Sequence, residues 1–172
     1  MIGVINFGIG NIGSIVNMLD HLYLDSRVVE TPGRAVSDTC DRYILPGVGA
    51  FDRGMQELTR RGFAEFLDRE VRQGGKPLLG ICLGMQLLTL SSEEGSLPGL
   101  GWVPASTVRL RPRTSEKVPN MGWREVVACR PNRLIPAAET NRFYFVHSYG
   151  VDCHDERDVV ARLDFAQGVC AC

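Results

Sequence analysis

Apolar and polar positions follow two different rhythms along this chain. Up to about Leu90, short apolar runs alternate with stretches of helical spacing. Ile2–Phe7 reads as a strand and Asn11–Leu22 as a helix with Ile12, Ile15, Met18, Leu19 and Leu22 on one face. Arg27–Glu30 and Tyr43–Leu45 read as strands, the second ending at Pro46, and Gly54–Gln73 is amphipathic through Met55, Leu58, Phe63, Phe66, Leu67 and Val71. Leu78, Leu79 and Ile81 then form a buried-strand run, followed at helical spacing by Met85, Leu87, Leu88 and Leu90. Such alternation predicts a parallel sheet with helices on its faces. Past Pro98, Gly99, Gly101 and Pro104 the rhythm changes. Val103–Leu110, Glu125–Cys129, Phe143–Val146 and Val159–Leu163 read as short strands between turns, an antiparallel addition to the parallel core.

With 172 residues, 44% hydrophobic and 23% charged, the chain reads as one soluble domain. A formal net charge of −1 gives no electrostatic case for nucleic acid or a membrane surface. No apolar run is long enough to span a bilayer, and the start lacks the features of a signal peptide. The six cysteines (Cys40, Cys82, Cys129, Cys153, Cys170 and Cys172) are scattered, which predicts reduced thiols in the cytoplasm and no metal site. Arg109, Arg111, Arg113 and Lys117 form a basic loop, read first as a solvated turn.

The chemistry concentrates at Gly80-Ile-Cys-Leu-Gly84, a G-x-C-x-G between strand and helix, which is the cysteine form of a nucleophile elbow. The nucleophile must occupy a sharp turn, so the residues two positions either side must lack a Cβ. Placing the sulfur at a helix N-terminus predicts a favoured thiolate. A thiolate attacking a carbonyl needs an oxyanion hole. The elbow offers the Leu83 N–H, and the loop Pro46-Gly-Val-Gly-Ala-Phe51 (Gly47, Val48, Gly49) would lie at the same sheet edge and offer a second donor. Gly8-Ile-Gly-Asn-Ile-Gly13 also fits G-x-G-x-x-G, but only Glu30 could close a dinucleotide site, so a tight βα turn is the preferred reading.

Gly80-Ile-Cys-Leu-Gly-Met-Gln-Leu-Leu, Leu45-Pro-Gly-Val-Gly-Ala-Phe, Phe7-Gly-Ile-Gly-Asn-Ile-Gly-Ser, Ser92-Glu-Glu-Gly, Val118-Pro-Asn-Met-Gly-Trp123 and Tyr144-Phe-Val-His-Ser-Tyr149 occur in one order. Together they resemble the class I (triad) glutamine amidotransferases, in particular the glutaminase subunits of imidazole glycerol phosphate synthase, from Met1 to about Tyr149. The resemblance implies a flavodoxin-like α/β fold and a γ-glutamyl thioester on Cys82, with the oxyanion held at Gly47–Gly49 and Leu83. It implies that Gln86 and Glu94 bind glutamine and that Ser148 and Tyr149 hold its α-carboxylate. It also implies no cofactor, and a (β/α)8-barrel cyclase partner that receives the ammonia, faced by Asn11 and by Met121–Trp123.

The chain departs from the pattern in three places. The family carries its catalytic His and Glu late, on a Phe-His-Pro-Glu segment, whereas this sequence reaches Gln167-Gly-Val-Cys-Ala-Cys172 without one. His21 comes too early, His147 belongs to the pocket motif, and His154 reads as an exposed turn. The expectation is a domain truncated at its C-terminus, lacking a final strand and helix, with amide cleavage severely impaired. A fragment or a frame change is favoured over a chain that has lost activity, because Cys82 and the pocket residues are intact. Asn6-Phe7 stands where the family commonly has Asp-Tyr, and Asn120 where it often has His. Two alternatives follow: a paralogue feeding ammonia to a sugar-amidating enzyme, or a triad-deficient binding subunit. A different cysteine hydrolase or chaperone of similar fold is disfavoured by Gln86, Glu94 and Ser148-Tyr149.

Overall fold

In the computed structural model, residues 1–135, 141–166 and 169–170 are described, and the chain divides into two units, Met1–Leu88 and Thr89–Cys172. Of the C-terminal run quoted above, Gln167, Gly168, Ala171 and Cys172 lie outside the described residues.

The first unit is built on four parallel strands, β1 (Ile2–Ile5), β2 (Ser26–Val29), β3 (Arg42–Gly47) and β4 (Leu78–Cys82), in the order β2-β1-β3-β4. Neighbouring side chains on a strand point to opposite faces, so Tyr43 and Ile44 serve different layers. Val4 and Ile44 meet Leu19, Ile12, Ile15 and Val16 of helix α1 (Ile12–His21) on one face. Tyr43 meets Phe66 edge-on at 5.6 Å on the other. Met18 and Leu22, expected on the buried stripe of α1, are exposed. A one-turn helix α2 (Arg34–Ser37), which the periodicity does not announce, precedes β3.

The long amphipathic stretch is not one helix. It breaks at Gly62, whose φ of +74° suits glycine, into α3 (Phe51–Arg60) and α4 (Phe63–Leu67), with a π-turn over Asp68–Gln73. Strand β3 runs through Pro46 to Gly47, further than the sequence suggests. Its ladder to β1 ends at Ile44, and a proline is tolerated where one flank is unpaired. Helix α5 covers only Leu83–Gln86.

Among the described residues the second unit holds seven strands in one sheet: β5 (Ser91–Ser92), β6 (Ala105–Arg109), β7 (Asn120–Ala128), β8 (Asn141–His147), β9 (Tyr149–Cys153), β10 (Ala161–Leu163) and β11 (Val169–Cys170). Their order is β5-β6-β9-β11-β10-β7-β8. All pairs are antiparallel except β5–β6. The chain after α5 leaves helical geometry because the Leu90 N–H is taken by the Ala105 carbonyl, 2.9 Å away, drawing it onto β6. The core gathers Leu110, Val126, Ile135, Ala161, Leu163 and Phe165. The basic loop is partly paired: Arg113 meets Asp164 at 2.9 Å, and Arg111 lies 4.0 Å from Glu93. Among the described residues no helix is long and apolar enough to cross a membrane.

Candidate active site

Cys82 ends β4 with φ +54° and ψ −117°, a backbone conformation that a non-glycine residue adopts only under constraint. The constraint is steric. A Cβ added to Gly80 would lie 2.7 Å from the Met85 Cα, and one added to Gly84 would run into the Leu45 carbonyl oxygen. Both glycines of the motif are therefore required by backbone approach, as the elbow reading expects. Register places Gly47 directly opposite Cys82, and a Cβ there would stand 3.1 Å from the Gly84 nitrogen. The end of β3 thus lies against the elbow. Beyond it the loop turns through Gly49 at φ +102°, with Val48 exposed. On α3, a Cβ on Gly54 would approach Leu83 and Leu87 to 3.1 Å, so this helix also presses closely on the turn. Gln86 is buried on α5.

The thiol is not poised as the sequence suggests. Although Cys82 is exposed as a residue, the atoms packed around its thiol partly desolvate it and push its pKa up, opposed by a hydrogen bond from the Leu83 backbone N–H. A single helical turn carries little dipole, so desolvation wins over the helix terminus. The Leu83 N–H is the same donor expected in the oxyanion hole. Cys82, Leu83, Gly47, Val48, Gly49 and Gln86 all belong to the first unit, and the structure brings the first four of these elements to one sheet edge.

The other expected glutamine residues belong to the second unit. Ser92 pairs with Thr107 on β6, and the following Glu93 accepts the Arg109 N–H at 2.7 Å. Tyr149 faces Arg109 from β9. Glu94 and Tyr149 therefore come to the same end of β6 from its two flanks. Ser148 is the single bend between β8 and β9, its carbonyl accepting the Leu110 N–H at 2.9 Å.

Sequence reasoning missed the group beneath this bend. His147 Nδ1 lies 2.8 Å from the Tyr149 carbonyl, and its Nε2 lies 2.9 Å from Asn120 Nδ2. Arg124 Nε donates to Asn120 Oδ1 at 3.0 Å, and Asn120 is fully buried. Both motifs were visible, but nothing local reveals that Asn120 pairs with His147 across β7 and β8. With both ring nitrogens engaged and burial pushing its pKa down, His147 has no nitrogen to offer as a base.

Asn11 caps α1, its side chain accepting the Ser14 N–H, and is exposed. Met121 and Trp123 are exposed, Trp123 to 62%, and pair with the exposed Val146 and Tyr144. The four form an apolar patch on one face of the β7–β8 ribbon, Trp123 and Tyr144 meeting edge-on at 5.8 Å, and the Glu125–Arg142 pair bounds it before Val127.

Comparison with known proteins bears on this geometry. The family described as "Glutamine amidotransferase class-I" matches residues 3–169. Imidazole glycerol phosphate synthase subunit HisH 2 of Methanococcus maripaludis is 44% identical over 166 residues, covering 96% of this chain and 81% of that protein. The subunit of the same description from Pseudomonas aeruginosa is 41% identical, with 97% and 82% covered. Among solved structures, a glutamine amidotransferase superposes with a TM-score of 0.70 at 18% identity, over 94% of this chain and 79% of that one. PurLQS from Thermotoga maritima gives 0.68 at 19% identity, over 95% and 74%. At those identities the structures speak for the fold alone.

Proposed function

The chain belongs to the class I glutamine amidotransferases, among the HisH subunits of imidazole glycerol phosphate synthase, and on that premise we propose that it is a glutaminase subunit whose nucleophile is Cys82. The constrained backbone of Cys82, between two glycines that cannot carry a Cβ, is the observation that carries this reading. The thiolate adds to the side-chain amide carbon of glutamine, and the carbonyl electrons move onto oxygen. The Leu83 N–H and the Gly47-Val48-Gly49 loop receive that oxyanion. The amide nitrogen takes up the proton that the thiol gave up, collapse breaks the C–N bond, ammonia leaves, and water hydrolyses the γ-glutamyl thioester to glutamate and free thiol. Gln86 contributes to glutamine binding beside the nucleophile. Glu94 takes the α-ammonium, and Ser148 and Tyr149 take the α-carboxylate. No cofactor enters these steps.

Ammonia passes to a (β/α)8-barrel cyclase that forms imidazole glycerol phosphate and AICAR, a step placing the protein in histidine biosynthesis and in the cytoplasm. The exposed patch of Met121, Trp123, Tyr144 and Val146 supports this docking, because contiguous apolar surface of this kind marks interaction sites. Asn11 is the expected contact in the first unit.

One observation favours a second reading, a subunit that binds glutamine without turning it over. The pKa of Cys82 is set by desolvation and the Leu83 N–H, and among the described residues no imidazole acts on the thiol to take up its proton. Incubation with 6-diazo-5-oxo-L-norleucine, with and without the cyclase, separates the two. Mass addition at Cys82 together with ammonia release from glutamine is the expected result. Labelling without ammonia release selects the binding subunit, and no labelling of folded protein removes Cys82 from the glutamine site.

A further inference from the structure

The carbonyl of Tyr149 can only accept a hydrogen bond, so the His147 Nδ1, 2.8 Å away, must carry a proton. A neutral imidazole then has an unprotonated Nε2, which must receive a hydrogen, and the Asn120 Nδ2 amide supplies it at 2.9 Å. That orientation turns Asn120 Oδ1 outward, where it accepts from Arg124 Nε at 3.0 Å. Every donor in the row has an acceptor, and all of them run one way, from Arg124 through Asn120 and His147 to the Tyr149 main chain. Arg124 is anchored in turn, its guanidinium lying 5.6 Å from the centre of the Phe165 ring.

The end of this row is the single-residue bend at Ser148. The Leu110 N–H holds the Ser148 carbonyl and His147 holds the Tyr149 carbonyl, so the two peptide planes that follow Ser148 and Tyr149, and with them the N–H directions of Tyr149 and Gly150, are pinned. Backbone N–H groups that meet a carboxylate are effective only when their direction is set beforehand. We propose that Arg124, Asn120 and His147 are positioning residues that fix the Ser148–Tyr149 bend for capture of the glutamine α-carboxylate. This rests on the assignment of Ser148 and Tyr149 to that carboxylate. An asparagine serves the middle of the row because one amide holds both the donor that His147 Nε2 requires and the acceptor that Arg124 requires.

Nitrogen-detected NMR of the full chain tests the row directly. The expected state of His147 is neutral, with Nδ1 protonated; a dominant Nε2-protonated tautomer overturns the proposal. Kinetics of Cys82 alkylation by 6-diazo-5-oxo-L-norleucine test the consequence. In Asn120→Leu the half-saturating concentration should rise about five- to tenfold while the maximal rate changes less than about twofold, the size expected for one lost orienting hydrogen bond. Asn120→His, with a donor and an acceptor on one ring, should restore most of the affinity. Should Asn120→Leu fail to fold, Arg124→Met at an exposed strand position should give a two- to threefold rise, roughly, and a mixed His147 tautomer. Unchanged half-saturation in the folded variants, with normal labelling of the parent chain, overturns the positioning role alone. Absence of labelling in the parent chain overturns the glutamine site itself and this proposal with it.

Discussion

The elbow at Cys82 and the bend at Ser148 are both tight turns at the end of a strand, yet they are held in different ways. The elbow is shaped by what is absent. Gly80 and Gly84 have no Cβ, and the backbone of Leu45 and Met85 closes into the vacated space. The bend is shaped by what is present: the Leu110 N–H holds the Ser148 carbonyl, and a row of polar side chains ends on the Tyr149 carbonyl. Steric shaping is local in sequence, since five consecutive residues encode it. Polar shaping is distributed, because Asn120 and His147 are 27 positions apart and meet only through strand pairing. The two should therefore fail differently when altered.

The largest effect is expected at the elbow. Gly84→Ala places a methyl group on the Leu45 carbonyl, which is backbone and cannot step aside. A loss of about 4 kcal/mol in urea unfolding follows, near the upper end for a single substitution. Gly80→Ala, facing the Met85 backbone at 2.7 Å, should cost somewhat less. A loss below about 1 kcal/mol at Gly84 would mean that the turn can rearrange and that sterics do not shape it.

This contrast also explains what was legible beforehand. Cys82, its flanking glycines and the Gly47–Gly49 loop were read from short motifs whose meaning is steric, and the structure sets Gly47 opposite Cys82 with Gly80 and Gly84 closely approached by backbone. The parallel half was readable for the same reason, each strand and helix having its own periodicity. The reading failed where a distant residue decides. Gly54–Gln73 keeps one apolar stripe through a break that Gly62 imposes, and the helix after Cys82 ends early because Ala105 captures Leu90. β5, β9 and β11 are short strands defined by their neighbours, and the thiol pKa moved opposite to expectation because one helical turn cannot outweigh burial.

A polar knot also exists in the first unit, at the other end of the sheet from the elbow, and it offers an ionic counterpart to the Ser148 bend. Glu70 is buried, and burial alone would raise its pKa. Hydrogen bonds from Lys76, at 2.7 Å, and Ser37 outweigh that and hold it to about 2. A carboxyl depressed in the folded state stabilises above its unfolded value and loses that contribution as pH falls toward its folded one. Stability should accordingly drop by about 3 kcal/mol between pH 5 and 2, roughly, an order-of-magnitude figure from the shift. Glu70→Gln should flatten that slope in a pH series of urea unfolding curves. An unchanged slope would assign the acid sensitivity to other carboxylates.

Between these lies the neutral row at Ser148. Asn120→Leu keeps the branched side-chain shape but strands His147 Nε2 and Arg124 Nε, at a cost of about 2 kcal/mol. Because His147 is held neutral, this loss should be flat between pH 6.5 and 8, whereas a loss growing steeply across that window would mean that His147 titrates there.

The smallest effect reverses sign and marks the limit of the steric argument. Gly13 stands in a glycine-rich turn that looks as constrained as the elbow, yet it sits in the first turn of α1 and an added Cβ there meets nothing within 4 Å. Its backbone is helical, so the residue contributes only conformational freedom to the unfolded chain. Gly13→Ala should therefore stabilise the protein by about 0.5–1 kcal/mol, read as a higher urea midpoint at unchanged slope. Gly8, at φ +90° with the Arg61 guanidinium 2.5 Å from where a Cβ would stand, should lose stability on the same change. Opposite signs at two glycines five residues apart would show that close approach and backbone angle, and not membership in a glycine-rich motif, decide which glycines this fold requires. If Gly13→Ala destabilises instead, the first βα turn is constrained by something other than the contacts of its own residues, and the distinction between steric and distributed shaping does not extend to it.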